Sequence, residues 1–240
     1  LEEALIDDPF IEKVYYLEKY HKKFIDIFQL SNTLKQFKFD NLLIFYPSIR
    51  IYIAAKIAKI KNVSIYNIFK KKNLHLVNAA KDLTEKFLCI KNCPTETKFF
   101  INQEKINNIN KELSNNKFKI VIGAGSSGST TRWGSKNFSQ LINKLNELDN
   151  FFFFILCGPN EKKTENQIIS NLSKKNYIPL SDKKIKDLIP YLCAADMYVG
   201  NDSFGSHITS QSGKKSIVLL LDSPKAYTDY SDNYYRIVPK

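Results

Sequence analysis

The chain has 240 residues, and its 36 lysines and arginines exceed its 24 acidic residues to give a formal net charge of +12. A hydrophobic content of 43% is enough to build a packed core, which excludes a disordered chain. No apolar run approaches the roughly 18 residues needed to cross a membrane, and the acidic first ten residues predict no signal peptide.

The positive charge is spread evenly along the chain. Residues 1–115 carry 19 basic and 13 acidic side chains, and residues 116–240 carry 17 and 11, so each part has a net charge of +6. Only three of the basic residues are arginines, the side chain that base-edge readout favours. We therefore expect no nucleic-acid partner, while attraction to an anionic membrane surface stays open.

The cysteines and histidines form no metal-binding pattern. The sequence contains no CxxC pair and no HExxH motif, and four cysteines in a chain of this length do not make a disulfide scaffold. Two of them, Cys157 and Cys193, lie in predicted strand and helix segments where a free cysteine acts as a small hydrophobic residue. These features predict a reducing compartment and no bound metal.

The first part of the chain alternates strand and helix signals, and it contains no glycine up to residue 122. An apolar run over residues 39–46, stopped by Pro47, predicts a strand. Ser48 is a suitable N-cap for a helix to about residue 59, with an apolar stripe of isoleucines at positions 49, 53, 57 and 60. Further predictions are a strand over 63–66, a helix over 79–87, and a polar helix or linker over 103–116.

The second part is a regular alternation of strands and helices. Strands are predicted over residues 118–122, 151–157, 177–179, 196–199 and 216–221, and helices over 137–148, 161–172 and 184–194, with one more beginning near residue 205. Strands separated by helices of this length predict a parallel, doubly wound α/β sheet.

All eight glycines lie between residues 123 and 213, and several follow predicted strands. Such sheets bind ligands at the carboxyl ends of their strands, so these loops are candidate binding loops. Residues 123–128 spell GxGxxG, but the loop continues to Trp133 and the next strand ends in Cys157 and Gly158, so the dinucleotide fingerprint is not met. The loop is suited to binding a diphosphate through N–H groups and hydroxyls, the alternative being a polar surface loop.

Acidic residues follow two other predicted strands. Asp202 or Ser203 is suited to capping the following helix, and Asp202 is equally suited to accepting hydrogen bonds from sugar hydroxyls. His207, near the start of that helix, either faces a ligand phosphate or packs in the core. Glu161 is favourably placed beside a helix N-terminus, and a contact with a ribose hydroxyl is also open to it.

The order of these motifs resembles that of the heptosyltransferases of glycosyltransferase family 9, which assemble the lipopolysaccharide core. The resemblance rests on Gly123-Ala-Gly125 followed by Arg132-Trp133, on Gly158-Pro-Asn-Glu161, on Asp202-Ser203 leading to His207, and on Ser212-Gly213-Lys214 before the last predicted strand.

The chain departs from the family pattern at three places. Thr131 stands where the family usually has lysine, and Phe204 stands where it has glycine. Residues 1–40 contain nothing that resembles the family's first strand and Gly-Asp loop, which carries the expected general base.

The resemblance implies a GT-B fold of two Rossmann-like, doubly wound α/β domains. The first would be an incomplete acceptor-side domain over residues 1–115, and the second a donor-binding domain over residues 116–240. Two residues would be catalytic, with Arg132 stabilising the leaving diphosphate and Asp202 holding the donor sugar. The implied donor-binding residues are Gly125, Ser126, Ser127, Thr131, Glu161, Leu180, Ser203, Gly205 and His207, with the two serines on the phosphates, Glu161 on the ribose and Leu180 against the adenine.

The function implied by the resemblance is an inverting, metal-independent transfer of a heptose-like sugar from an ADP-sugar to a lipopolysaccharide core acceptor. The ADP-sugar is the donor substrate, and no further cofactor is expected. The expected location is the bacterial cytoplasm, with peripheral contact at the inner face of the inner membrane. Two alternatives stay open: a nucleotide-sugar-binding protein without a catalytic base, and a GT-B-like sugar-nucleotide epimerase, which needs no acceptor.

Overall fold

The computed structural model describes residues 5, 8–16, 23–46, 48–66, 76–95, 100–113, 117–126, 132–219 and 231–238. They fall into two compact units, a smaller one within residues 13–95 and a larger one formed mainly from residue 96 onward. The sequence pattern predicts a domain boundary at residue 115. The structure instead assigns the helix Gln103–Glu112 to the larger unit, because its buried Ile106 and Ile109 belong to that unit's core.

The smaller unit is a short parallel sheet with helices. Its elements are α1 (Asp26–Phe37), β1 (Asn41–Ile44), α2 (Ile49–Ile57), β2 (Asn62–Ile65) and α3 (Leu76–Leu88). Strands β1 and β2 pair in parallel, with Asn41 opposite Asn62. The predicted cap of α2 is confirmed, since the Ser48 side chain accepts a hydrogen bond from the Ile51 N–H.

The buried face of α2 differs from the predicted isoleucine stripe. Ala54 and Ala55 are fully buried, whereas Ile49 is 49% and Ile57 is 38% exposed. The alanines lie in one apolar cluster with Leu30 and Leu34 of α1 and with Ile60, the only residue of the predicted stripe that is buried. Small side chains let two helices approach closely, so the packing of α1 decides which face of α2 is buried.

The larger unit contains a six-stranded parallel sheet. In chain order its elements are α4 (Gln103–Glu112), β3 (Phe118–Gly123), α5 (Ser135–Leu148), β4 (Phe151–Leu156), α6 (Lys162–Ile169), β5 (Tyr177–Pro179), α7 (Ile185–Ala194), β6 (Met197–Asn201), α8 (Phe204–Gln211), β7 (Lys215–Leu219) and β8 (Tyr234–Ile237). The strands lie in the order β5-β4-β3-β6-β7-β8. This is the 3-2-1-4-5-6 order of nucleotide-binding Rossmann domains, and the predicted doubly wound α/β class is confirmed.

Two apolar cores cover the two faces of this sheet. On one face Val121 and Phe154 pack with residues of α4, α7 and α8; on the other, Ile122, Phe153 and Ile155 pack with residues of α5 and α6. Alternate strand residues therefore face opposite cores, which explains the continuous apolar runs in the sequence.

The strand order reverses between β3 and β6, where two glycines lie side by side. Gly123 pairs with Gly200, and a Cβ on Gly200 would lie 2.3 Å from the Gly123 carbonyl oxygen and 2.6 Å from its Cα. A Cβ on Gly123 would in turn lie 1.8 Å from the Tyr198 hydroxyl. The absence of side chains at both positions allows the two strands to approach closely where the strand order reverses, which is the place where Rossmann sheets bind ligands.

Across the parts of the chain that the structure describes, no helix is long and apolar enough to cross a membrane.

Candidate functional site

A cavity of about 390 Å³ opens at the carboxyl ends of β3, β4 and β6. Six of the predicted donor-binding residues line it: Gly125, Ser126, Glu161, Leu180, Ser203 and Gly205. Apolar side chains of Leu156, Leu180, Ile185 and Leu188 form much of its wall. The volume is within the range of roughly 300–1,000 Å³ that is usual for small-molecule sites, and the apolar wall suits a flat organic ring.

The remaining predicted site residues lie outside this lining. Arg132, Asp202 and His207 contact residues of the cavity wall or of the adjoining α8 start. Ser127 and Thr131 lie outside the described residues.

Glu161 connects the glycine loop to the end of β4. Its Oε1 accepts the Ser126 N–H at 3.1 Å, and its Oε2 accepts the Gly158 N–H at 2.8 Å. A Cβ on Gly125 would lie 2.2 Å from Glu161 Oε2, so a side chain at this position would displace the carboxylate from these hydrogen bonds. The predicted ribose ligand is therefore also a structural support of the predicted phosphate loop.

Arg132 is held beside this carboxylate. Its Nη2 lies 2.7 Å from Glu161 Oε1 and donates to the Ser126 carbonyl at 2.8 Å. The Arg132 side chain is 39% exposed, so its guanidinium is in contact with both the loop and solvent. This arrangement places a permanent positive charge next to the loop that is predicted to bind phosphate.

Asn201, at the end of β6, joins the two described arms of the glycine loop. Its side-chain Nδ2 donates to the Ala124 carbonyl at 2.8 Å, and its Oδ1 accepts the backbone N–H of Trp133 at 3.1 Å. The residue is fully buried. Tyr198, also fully buried, donates from its hydroxyl to the Asn201 carbonyl at 2.6 Å.

Asp202 lies in a cluster with His207 and Tyr234. Its Oδ1 accepts the Tyr234 O–H at 2.9 Å and lies 3.3 Å from His207 Nε2. The His207 and Tyr234 rings stack with centroids 5.5 Å apart. Ser206, buried on α8, places its hydroxyl 3.2 Å from that of Tyr234. The cluster orients a carboxylate at the start of α8, beside the cavity.

A second buried carboxylate shapes the wall formed by Leu180. Glu165 on α6 is 2% exposed and accepts the N–H groups of Leu180 and Ser181, each at 3.0 Å. The Ser181 hydroxyl also donates to it. These bonds fix the turn after β5, so the position of the predicted adenine contact depends on a residue of a neighbouring helix.

The buried thiol in this region is kept neutral. Cys157 follows β4 and lines the cavity, and burial raises the pKa of its thiol to about 12, with the Glu165 and Glu161 charges adding to the effect. A thiol with this pKa is protonated at neutral pH and is not an effective nucleophile. The prediction that Cys157 acts as a small hydrophobic residue agrees with this environment.

Comparison with known proteins identifies the family. The sequence profile of glycosyltransferase family 9 (heptosyltransferase) matches residues 59–238. The chain belongs to glycosyltransferase family 9. The resemblance inferred from the strand-end motifs is thereby confirmed, and the chain is a heptosyltransferase-family glycosyltransferase. A search of curated protein sequences gives no significant match.

Solved structures of this family share the fold of the chain. The glycosyl transferase family 9 protein from Veillonella parvula has a TM-score of 0.76 at 13% identity, over 99% of this chain and 74% of that one. E. coli ADP-heptose LPS heptosyltransferase II has a TM-score of 0.69 at 14% identity, over 89% of this chain and 72% of that one.

A third similar structure, E. coli heptosyltransferase WaaC with ADP, has a TM-score of 0.69 at 13% identity, over 90% of this chain and 71% of that one. These likenesses confirm the GT-B fold class predicted for this family 9 chain.

Three supporting residues of the site are not predicted by the sequence motifs. Asn201 stands directly before Asp202 at a strand end, so its position was a usable signal. Glu165 gave no signal, since an acidic residue on a helix reads as solvent-exposed. Tyr234 lies on β8, a strand that was not predicted, and only the pairing of β8 with β7 brings it to Asp202.

Proposed function

We propose that this family 9 chain transfers a heptose-like sugar from an ADP-sugar to a lipopolysaccharide core acceptor. The observation that carries the proposal is the cavity at the reversal point of the sheet, lined by six of the residues that the family motifs predict. In this assignment the adenosine occupies the apolar part of the cavity against Leu180. The diphosphate lies along the glycine loop, and the sugar reaches Asp202.

The transfer proceeds with inversion at the anomeric carbon. The acceptor hydroxyl attacks that carbon while the bond to the ADP oxygen breaks, and a base takes the hydroxyl proton. Negative charge develops on the leaving diphosphate, so fixed positive charge beside it lowers the barrier. Arg132 and the N-terminus of α8 are the groups that we assign to this task, and with them the reaction needs no metal ion.

Asp202 holds the donor sugar. The carboxylate is oriented by the Tyr234 hydroxyl and lies close to His207, so its direction is fixed before the donor binds. A carboxylate is a strong acceptor for sugar hydroxyls, and a hydrogen bond to a charged group contributes about 1.5–3 kcal/mol. Asp202 therefore distinguishes the complete donor from ADP alone.

Calorimetry with ADP and with ADP-heptose tests this assignment. We expect the wild-type chain to bind both, and Asp202→Ala to lose about tenfold or more in affinity for ADP-heptose while its affinity for ADP changes much less. Asp149→Ala is the matched control, because Asp149 is exposed after α5, at the opposite edge of the sheet. Equal effects of Asp202→Ala on both ligands would contradict the assignment.

Product analysis separates the alternatives. Transfer requires both ADP-heptose and a lipopolysaccharide core acceptor, and it releases ADP. An isomerised sugar nucleotide formed without acceptor would identify an epimerase instead. Donor binding with no product under either condition would identify a nucleotide-sugar-binding protein.

A further inference from the structure

We propose that Asn201 is a positioning residue that holds Ala124 and Trp133, at the two ends of the diphosphate-binding loop, in place. The inference rests on the proposed function, since it assumes that the loop after β3 receives the diphosphate of an ADP-sugar. Asn201 is assigned no ligand contact of its own. Its effect on binding passes through the backbone atoms that its side chain holds.

Both halves of the Asn201 amide are in use. One end donates to the Ala124 carbonyl at the start of the loop, and the other accepts the Trp133 N–H at its end. A neutral amide supplies a donor and an acceptor from one short side chain, which neither an apolar residue nor a carboxylate does. Because the side chain is fully buried, an unpaired group at this position would also lose its hydration without compensation.

The backbone of Asn201, at the end of β6, is itself held in place. The Asn201 carbonyl accepts the hydroxyl of the buried Tyr198, and Asn201 pairs with Leu219 in the sheet. The Tyr198 hydroxyl also lies 3.0 Å from the hydroxyl of Ser203, the residue that follows Asp202. The same strand end therefore orients the loop through Asn201 and carries Asp202, which couples the diphosphate loop to the sugar-binding carboxylate.

The hydrogen bonds of Asn201 are separate from those that hold the part of the cavity assigned to adenosine. Leu180 and Ser181 are held by Glu165 on α6, and Asn201 takes no part in those hydrogen bonds. Loss of the Asn201 bridge is therefore expected to weaken contacts to the diphosphate and to leave the adenosine contacts in place.

The test compares Asn201→Asp and Asn201→Leu with wild type by calorimetry, using ADP and adenosine as ligands. We expect the dissociation constant for ADP to rise about tenfold or more, and that for adenosine to change less than about twofold. Asn176→Asp is the matched control. Asn176 likewise bridges two groups, the Asn146 side chain and the Phe151 carbonyl, at the opposite edge of the sheet.

A pH series with Asn201→Asp provides a rescue. The ionised carboxylate repels the Ala124 carbonyl, whereas the protonated acid donates to it and still accepts the Trp133 N–H. Relative to wild type at the same pH, the ADP affinity of Asn201→Asp should therefore recover as the pH is lowered through the pKa of the new carboxyl group. Asn201→Leu has no such group and should not recover.

Tryptophan fluorescence gives a readout that does not depend on any ligand. Trp133 is the only tryptophan in the chain, it is 37% exposed, and its ring packs edge-on against Phe138 with centroids 5.0 Å apart. Asn201→Leu removes the acceptor of the Trp133 backbone N–H, so this variant should shift the emission to longer wavelength and increase acrylamide quenching. Asn176→Asp should leave both unchanged.

The outcomes separate this inference from the proposed function. If wild type binds neither ADP nor ADP-heptose, the proposed function fails. If wild type binds ADP and both Asn201 variants bind it equally well, the positioning role is overturned. Equal losses for ADP and adenosine would also overturn it, since they would indicate a general structural role.

Discussion

At the residue scale, the site depends on carboxylates that accept hydrogen bonds from backbone N–H groups. Glu161 accepts two N–H groups, from Ser126 and Gly158, and pairs with Arg132, while its side chain is only 15% exposed. A carboxylate with several acceptor positions can keep such bonds and still offer a lone pair to a ribose hydroxyl. The structural role of Glu161 is thus compatible with its predicted ligand role.

We predict that Glu161→Gln weakens ADP binding about tenfold or more and lowers the free energy of unfolding by about 1–3 kcal/mol. The amide loses the ion pair with Arg132. Its NH₂ group is a donor only, so it cannot accept the backbone N–H of Ser126 or Gly158 that it would face. Calorimetry with ADP and thermal unfolding measure the two effects.

Glu104→Gln is the matched control for this change, because Glu104 lies exposed in the first turn of α4. If Glu161→Gln unfolds at the wild-type temperature and binds ADP as tightly, the carboxylate does not support the loop in the way that its contacts indicate.

At the element scale, the pairing of β3 with β6 at their carboxyl ends depends on glycine for steric reasons. A side chain on Gly200 meets the backbone of Gly123, which cannot move without disrupting the sheet. The contact at Gly205 is different, because the nearest atom to a Cβ there is the Leu156 Cδ2 at 2.2 Å, the far end of a side chain.

We therefore predict that Gly200→Ala lowers the free energy of unfolding by at least about 3 kcal/mol, the upper part of the range for overpacking. Gly205→Ala should cost less than Gly200→Ala, since a rotation of the Leu156 side chain relieves the contact. Denaturant unfolding of both variants measures the difference. Equal losses, or a greater loss for Gly205→Ala, would contradict the steric argument.

The smaller unit shows where element-level prediction failed. Periodicity selected the isoleucine stripe of α2, but α2 is apolar on more than one side, and periodicity alone does not decide which side packs. Helix α1 of this unit was not predicted at all, and neither was strand β8 of the larger unit. Exposed Tyr235 and Ile237 weaken the alternation on β8, and this strand is recognised only through its pairing with β7.

At the scale of the whole molecule, the net charge of +12 is a property of lysines spread over both parts of the chain. In the proposed function, an acceptor embedded in a membrane would bring the protein to an anionic surface, to which dispersed lysines are attracted without a defined binding pocket. This is the role that we assign to the charge in the proposed function.

We predict that the chain binds phosphatidylglycerol vesicles at low ionic strength and not phosphatidylcholine vesicles, and that about 0.5 M salt abolishes the binding because it screens exposed charges. Vesicle co-sedimentation measures this. Duplex DNA is the control, since tighter binding to DNA than to anionic vesicles would contradict the expectation that the chain has no nucleic-acid partner.

The sequence by itself determined the α/β class, most elements of the larger unit and the loops that form the site. These features follow from local chemistry: apolar runs specify buried strands, and the glycines mark places where backbone must pass closely. Six predicted ligand residues meet in one cavity because parallel strands end at one edge of the sheet.

Only the tertiary structure decided how that edge is held together. The Asn201 bridge joins Ala124 to Trp133, Glu165 fixes Leu180, and Tyr234 reaches Asp202 from the last strand. Each of these bonds joins residues that lie on different elements of the chain. Their partners follow from the strand order and from side-chain packing, which no local pattern in the sequence encodes.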